Sequence, residues 1–143
     1  MTTMTLQELS EKLRKIDFCM MTTYSGNVLS SRPMSNNGEV EYDGDSWFFS
    51  YEATRKIYDL NSNPALSLTF TAPPGLLGKP GIFVSVEGKA ELIKVRQEFE
   101  ARWTDGLNRW FPEKFNTPGM VLVKVHAEKI QYWDGEENGS ISM

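Results

Sequence analysis

The sequence has little cysteine, little histidine and no long apolar run. Of its 143 residues one is a cysteine, Cys19, and one is a histidine, His126. A single cysteine excludes an intramolecular disulfide and favours a reducing compartment, so we expect a cytoplasmic protein. No apolar stretch approaches the roughly 20 residues of a membrane-spanning helix, and the first residues lack the basic start and apolar run of a secretory signal. We therefore expect a soluble protein without a membrane partner.

Positive charge is also scarce. The chain has 15 Lys and Arg against 19 Asp and Glu, a formal net charge of -4. This balance argues against a broad surface for DNA or RNA, so nucleic acid is not an expected partner. With one histidine and one cysteine, a metal site built on nitrogen and sulfur ligands is not expected either.

The length and composition that remain are those of an ordinary globular protein. Hydrophobic residues make up 40% of the chain and charged residues 24%, which is close to the average for globular domains. A chain of this length can bury one sizeable core. We expect a single domain over residues 1–143.

The first predicted element is an amphipathic helix. In TLQELSEKLRKI, apolar residues recur at helical spacing, and Thr5 followed by Glu8 is the pattern of a capping box. The runs FCMMTTY and VLSSRPMS then flank the turn residues 25–27, which predicts a β-hairpin. Asp43 and Gly44 have hairpin chemistry before the aromatic strand 47–51, so we expect the meander to continue there.

The rest of the chain predicts more strands with helices between them. Thr54 is a candidate cap for a short helix, and ALSLTFTA and GIFVSVEGKAELI are predicted strands, the second with a bulge or bend at Gly88. KVRQEFEARWTDGLNRWF predicts a helix with a break at Gly106. We expect two last strands, MVLVKVHA and KIQYWD, and a disordered tail, GEENGSISM. Strands and helices do not alternate strictly, so about six or seven strands with flanking helices predict a mostly antiparallel α+β barrel.

Two basic clusters stand out against the acidic background. Arg32 lies in SSRPMS, and Arg55 and Lys56 lie in YEATRK. An arginine fork, a lysine charge and the free amides at a helix start can together hold a phosphate monoester. The same residues can also be solvent-exposed charges, and their spacing leaves both interpretations open.

Four segments resemble a known family. WFFSYEATRKIYDLNSNP, SRPM, VSVEGKAEL and QYWDG are similar to elements of the pyridoxamine 5'-phosphate oxidases and of the related general stress protein flavoproteins. The four segments occur in the family's order between Met20 and Gly135. The segment from Trp103 to Pro112 resembles the general stress protein subgroup most.

The resemblance implies a split β-barrel that binds FMN at the interface of a homodimer. In this family the arginine strand and the turn before the short helix hold the flavin phosphate and ribityl chain. The residues implied by position to bind the cofactor are Arg32, Pro33, Met34, Ser35, Phe49, Ser50, Thr54, Arg55, Lys56 and Trp133. Since arginine can grip two phosphate oxygens, we expect Arg32 to contribute more to FMN affinity than Lys56.

The chain also departs from the oxidases of this family. These have a glutamine near the position of Phe83, and an Arg-x-His element that helps to hold the substrate phosphate where this chain has Asn138, Gly139 and Ser140. Efficient oxidation of pyridoxamine 5'-phosphate is therefore doubtful. The leading expectation is a small FMN-dependent oxidoreductase of unknown substrate. The alternatives are a non-catalytic flavin-binding or stress-related protein, and a barrel that uses deazaflavin or, against the shortage of histidine, haem.

Three other features have a structural and a functional interpretation. His126 is expected on an exposed strand face rather than in catalysis. Cys19 is expected to be a small buried hydrophobe, because nothing near it in the sequence would lower its pKa. Trp103, Trp110 and Phe111 can form a lid over the flavin, or part of the core or an interface.

Overall fold

Seven strands and three α-helices make up the protein in a computed structural model that describes residues 3–143. In chain order they are α1 (Leu6–Leu13), β1 (Phe18–Ser25), β2 (Val28–Ser35), β3 (Asp45–Tyr51), α2 (Arg55–Ser62), β4 (Ala65–Thr71), β5 (Phe83–Ile93), α3 (Arg96–Arg102), β6 (Met120–Asp134) and β7 (Glu137–Ser142). Two short 3-10 helices, Asp105–Leu107 and Lys114–Asn116, lie between α3 and β6. Within residues 3–143, none of the helices has the length and apolar character needed to cross a membrane.

All strands belong to one antiparallel sheet in the order β2-β1-β4-β5-β6-β3. The strand β6 has 15 residues and organises the sheet. Its first half pairs with β3 and its second half pairs with β7, while its other edge pairs with β5 along nearly its whole length. The predicted antiparallel α+β class is confirmed.

The expected irregularity at Gly88 is a β-bulge. The β5–β6 register shifts between Glu87 and Gly88, so that one extra residue, Glu128, is accommodated on β6. A Cβ atom at Gly88 would lie 2.3 Å from the backbone oxygen of His126. Only glycine allows this close approach, which bends the two strands as barrel closure requires.

Gly88→Ala should lower the free energy of unfolding by about 1–3 kcal/mol, because backbone must move to admit the methyl group. Urea denaturation measures the change. Gly75→Ala is the matched control, because its Cβ would meet only the Lys79 oxygen, at 3.7 Å. Equal stability of the two variants would contradict the role given to Gly88.

The local predictions at the start of the chain are confirmed. Thr5 accepts from the backbone N–H of Glu8 at 3.1 Å, and the Glu8 side chain accepts from the backbone N–H of Thr5 at 3.2 Å. The strands β1 and β2 form the predicted hairpin. These elements depend on contacts within a few residues, which is why sequence pattern is sufficient to predict them.

The hairpin expected at Asp43 and Gly44 is wrong. Residues 36–44 form no strand, and β3 pairs with the distant β6 instead of with a neighbour in sequence. The segment 36–44, which connects β2 to β3, is held by α1, because Ser10 Oγ accepts from the backbone N–H of Tyr42 at 2.8 Å. Phe48, Phe49 and Ser50 are buried in succession, so both faces of β3 are covered. A strand buried in this way fits beside the long strand β6 and not in an exposed hairpin.

Two expectations for the end of the chain are also wrong. The segments MVLVKVHA and KIQYWD are parts of the single strand β6, and the tail forms β7. The tail is ordered because β6 offers it a free edge and because Gly139 leaves room for the Tyr132 ring, whose hydroxyl a Cβ would meet at 2.4 Å. Ile141 packs against the core.

Two groups of buried side chains stabilise the fold. The larger group joins Leu9 and Leu13 of α1 and Ile57 and Leu60 of α2 to the inward faces of the strands. The smaller group is mainly aromatic and packs β3 against α3 and the segment that follows it, through Phe49, Phe99, Phe111, Met120 and Leu122. The second group places segment 103–111 beside β3.

Candidate functional site

A pocket of about 550 Å³ lies between β2, β3, the start of α2 and segment 104–111. This volume is within the range of about 300–1,000 Å³ typical of small-molecule and cofactor sites. Residues 36–39, which follow β2, close one side of it. The pocket combines apolar walls with a few polar and charged groups, as cofactor sites do.

Seven of the ten residues predicted to bind the cofactor line this pocket. They are Pro33, Met34, Ser35, Phe49, Ser50, Thr54 and Lys56. The first three end β2 and the next two lie on β3, while the last two belong to the start of α2. The tertiary structure thus brings together three segments that are distant in sequence.

The N-terminus of α2 lies at the pocket, and no side chain caps its first turn. Thr54 is at the N-cap position, but its hydroxyl donates to the backbone oxygen of Tyr51 at 2.8 Å and makes no cap hydrogen bond. The capping expected of Thr54 is therefore wrong. Because no cap side chain covers the first turn, its backbone amides are available to an anion.

Lys56 is the cation that this end of the pocket presents. Its burial lowers its pKa, and the neighbouring Arg32 lowers the pKa further by charge repulsion. Both effects disfavour the charged form of Lys56. An anion bound beside Lys56 would remove this penalty.

Arg32 is on β2 as predicted, but it does not line the pocket. Its guanidinium lies 3.5 Å from the carboxylate of Asp59 and donates to Thr23 Oγ1 at 2.9 Å and to the backbone oxygen of Met21 at 3.2 Å. Thr23 in turn donates to Asp59 at 3.0 Å. Arg32 is thus committed to a buried carboxylate that ties α2 to β1 and β2.

Arg55 and Trp133 also lie outside the pocket. Arg55 is exposed, and its guanidinium contacts Asp59 at 3.2 Å and the Ser25 hydroxyl. Trp133 is 44% exposed on β6, opposite Phe83 of β5. Within one chain, therefore, neither side chain lines the pocket that collects seven of the predicted cofactor residues.

The sequence analysis missed several residues that line the pocket, above all Arg109, Phe18 and Tyr51. Arg109 lies over the ring of Trp110, with its guanidinium carbon 5.1 Å from the ring centroid, and adds a second cation to the pocket. Its only sequence signal was its place inside the Trp103–Pro112 segment. Phe18 and Tyr51 are exposed aromatic residues at the ends of strands. The alternation of apolar and polar residues along a strand does not indicate that such residues bind a ligand.

Of the three aromatic residues Trp103, Trp110 and Phe111, some belong to the core and one lies at the pocket. Trp103 packs edge-on against Phe49, with ring centroids 4.9 Å apart, and Phe111 is buried beside them. Trp110 is half-exposed at the pocket. The first two residues therefore belong to the core, while Trp110 remains a candidate cover.

His126 and Cys19 are not among the residues that line the pocket. His126 is exposed, with Nδ1 2.7 Å from Asp45, and Cys19 is buried, which raises its pKa to about 12. The expectations of an exposed histidine and a buried cysteine are confirmed.

The family model described as pyridoxamine 5'-phosphate oxidase like matches residues 4–143. The chain belongs to this family. A comparison with curated proteins finds no match.

Solved structures show the same fold at low sequence identity. A protein from Clostridium acetobutylicum related to general stress protein 26, of the pyridoxinephosphate oxidase family, has a TM-score of 0.79 and 21% identity, with 96% of this chain and 94% of the other covered. General stress protein 26 from Bacillus anthracis has a TM-score of 0.73 and 20% identity, with coverages of 96% and 100%. A heme binding protein from Mycobacterium smegmatis has a TM-score of 0.76 and 10% identity, with coverages of 99% and 60%. The same fold therefore also occurs in a protein whose name says that it binds heme.

Proposed function

We propose that the protein binds FMN in the pocket and is a small flavin-dependent oxidoreductase. The observation that carries the proposal is that one pocket collects seven of the ten residues at the family's flavin positions. Flavin supplies its own redox chemistry when bound, so the chain has to hold it, orient it and limit the access of water.

The pocket offers groups that suit both the phosphate and the ring system of FMN. Lys56, Thr54 and the open start of α2 offer a charge, a hydroxyl and backbone amides to the phosphate. Met34, Phe49 and Trp110 offer apolar surface to the ring system. The donor set therefore fits a phosphorylated, planar cofactor.

Other cofactors are less well supported by the pocket. A haem iron is most often held by histidine or a cysteine thiolate, and neither His126 nor Cys19 lines the pocket. Deazaflavin shares the planar ring of flavin and carries phosphate, so it stays an alternative for the same residues. A flavin store without turnover would use the same pocket.

Purified protein titrated with FMN should bind it with a dissociation constant of about 1 μM or tighter. The reason is that the pocket combines cationic side chains, which can hold the phosphate, with apolar area for the ring system. Quenching of flavin fluorescence measures binding, with deazaflavin and haem as parallel titrants. Binding of either of these but not of FMN would contradict the proposal. Reduction of the bound flavin by a reduced nicotinamide, followed by reoxidation, separates an oxidoreductase from a store.

We propose further that two copies of the chain pair across the outer face of the sheet. Phe18, Phe83 and Trp133 are 52%, 44% and 44% exposed. Phe83 and Trp133 are direct neighbours across β5 and β6, and Phe83 neighbours Thr71 of β4, the strand next to β1. The row of aromatics ends at the pocket, which Phe18 lines. Aromatic surface of this kind is typical of the core of an interface.

Sedimentation should show a dimer of the parent protein and a monomer of Phe83→Glu, because the new charge would be buried in the apolar interface. Val95→Glu is the control, since Val95 is a similarly exposed apolar residue outside the row, at 54%. A monomeric parent that binds FMN would refute the dimer and leave the FMN proposal intact.

A further inference from the structure

The pocket proposed for FMN contains two cations on two different elements. Lys56 lies on α2, and Arg109 lies on segment 104–111. FMN carries one phosphate, for which Lys56, Thr54 and the backbone amides at the start of α2 are the proposed ligands. The oxidised ring system of flavin is uncharged. Arg109 therefore has no group of opposite charge to meet on the cofactor.

Arg109 also has no partner of opposite charge within residues 3–143, because none of the ion pairs there includes it. In this part of the chain Glu39 is the one carboxylate that lines the pocket, and it does not pair with Arg109. The guanidinium carbon lies 5.1 Å from the centroid of the Trp110 ring. This contact leaves the N–H groups in the guanidinium plane free to donate. Arg109 is therefore available to an anionic occupant of the pocket.

The backbone on both sides of Arg109 is anchored, although its own side chain is exposed. Asn108 Oδ1 accepts from Trp103 Nε1 at 2.9 Å. Leu107 packs against the smaller, mainly aromatic group of buried residues, and Phe111 belongs to that group. An occupant that pairs with Arg109 thus has little backbone to order, which is the advantage of a preorganised binding residue.

The pocket favours an occupant with a planar ring. Two aromatic side chains that line it, Tyr51 and Trp110, are 42% and 48% exposed, and aromatic side chains pack well against flat rings. A guanidinium pairs with a carboxylate through two parallel hydrogen bonds. An aromatic or conjugated carboxylate combines the ring with the charge.

We propose, on the basis of the proposed function, that Arg109 determines which substrate the flavin site accepts, and that this substrate is a small aromatic or conjugated carboxylate whose acid group pairs with the guanidinium. Lys56 and Arg109 then divide two anions between them, the phosphate of the cofactor and the acid of the substrate. A neutral compound of the same shape is a poor substrate, because it leaves the guanidinium without an anion.

Fluorine NMR titrations of the full chain, with and without FMN, test the proposal with three probes. 4-Fluorobenzoate has the ring and the charge, 4-fluorobenzamide has the ring alone, and fluoroacetate has the charge alone. The parent protein should bind 4-fluorobenzoate saturably at millimolar concentration or below. It should bind the other two probes about tenfold more weakly, since each lacks one of the two contacts.

Arg109→Met should weaken the binding of 4-fluorobenzoate about tenfold, the lower end for a hydrogen bond to a charged group because Arg109 is exposed, and should leave 4-fluorobenzamide unchanged. Arg109→Lys should retain part of the affinity, because it keeps the charge and loses the planar fork. Arg96→Met is the matched control. The Arg96 guanidinium carbon also lies over an aromatic ring, 5.2 Å from the Phe115 centroid, but Arg96 does not line the pocket. This variant should bind 4-fluorobenzoate as the parent does.

FMN titrations of the same proteins separate this proposal from the proposed function. Arg109→Met should bind FMN as the parent does, whereas Lys56→Met should bind it more weakly. A parent that binds no FMN refutes the proposed function, and binding of 4-fluorobenzoate that depends on Arg109 would still support the role of this residue.

The role of Arg109 fails by itself in any of four cases. The FMN-loaded parent does not bind 4-fluorobenzoate, or fluoroacetate binds as tightly as 4-fluorobenzoate. Arg109→Met binds 4-fluorobenzoate as the parent does, or loses as much affinity for FMN as Lys56→Met.

Discussion

Replacing Asp59 by alanine should lower the free energy of unfolding by about 3–5 kcal/mol, the usual cost of removing one partner of a buried ion pair. Asp59 is 1% exposed and is the acceptor for Thr23 and the counter-charge of Arg32. Its loss would leave the Arg32 guanidinium, whose side chain is 19% exposed, without an anion. Urea denaturation of the FMN-free protein measures the change.

The double variant Arg32→Met and Asp59→Leu is the control for this prediction. Because both charges are removed together, it should recover most of the lost stability. Arg55 contributes little to either result, since its side chain is 69% exposed and remains solvated. An Asp59→Ala protein as stable as the parent would show that the network does not hold α2 to the sheet.

Lys56→Met should weaken FMN by about 1.5–3 kcal/mol, the range for a hydrogen bond to a charged group, which is roughly tenfold to 150-fold in the dissociation constant. Lys56 lines the pocket and repels Arg32, so its loss should not reduce stability. Riboflavin, which lacks the phosphate, should bind the variant and the parent alike.

Arg32→Met is the informative comparison, and here the structure changes the expectation drawn from the sequence. The guanidinium of Arg32 can bind two phosphate oxygens, which is why we expected Arg32 to be the stronger phosphate ligand. In the structure this guanidinium already contacts Asp59 and Thr23. Arg32→Met should therefore reduce stability more than FMN affinity, and Lys56→Met the reverse. If Arg32→Met instead weakens FMN more at unchanged stability, the phosphate lies against Arg32.

The pH dependence of FMN affinity separates Lys56 from the other groups. Affinity should rise as the phosphate takes its second charge, near a pKa of about 6, and fall in the alkaline range as Lys56 loses its proton at its lowered pKa. In that alkaline window the unfolded chain still binds the proton that the folded chain has lost, so the stability of the FMN-free protein should rise with pH. Lys56→Arg should retain affinity to higher pH, because arginine stays charged.

The elements and the residue types of the site were predictable because they depend on neighbours in sequence. The capping box of Thr5 and Glu8, the β1–β2 hairpin and the glycine at the bulge are each specified within a few positions. The segments that resemble the family's flavin-binding elements identified seven residues that the pocket brings together. The predicted order of strands and helices also indicated the antiparallel α+β class.

Pairing between distant elements was decided by the tertiary structure. Alternation of apolar residues tells which face of a strand is buried but not which strand covers its edge. For this reason the partner of β3, the continuity of β6 and the order of the tail in β7 could not be predicted. The expected hairpin at Asp43 and Gly44 had the correct turn residues but no strand to pair with.

The sequence by itself determined which residues carry charge and aromatic surface, and the tertiary structure decided what each of them faces. Arg32 and Lys56 are both cations near the phosphate-binding segment, and only the position of Asp59 on α2 shows that one is neutralised and the other is not. Likewise, the Tyr42 hydroxyl is buried without a hydrogen-bond partner among residues 3–143, because the loop before β3 packs on α1. Charge and polarity are properties of a residue type. Whether a charge is neutralised, and whether a polar group is buried, depends on groups that folding brings from elsewhere in the chain.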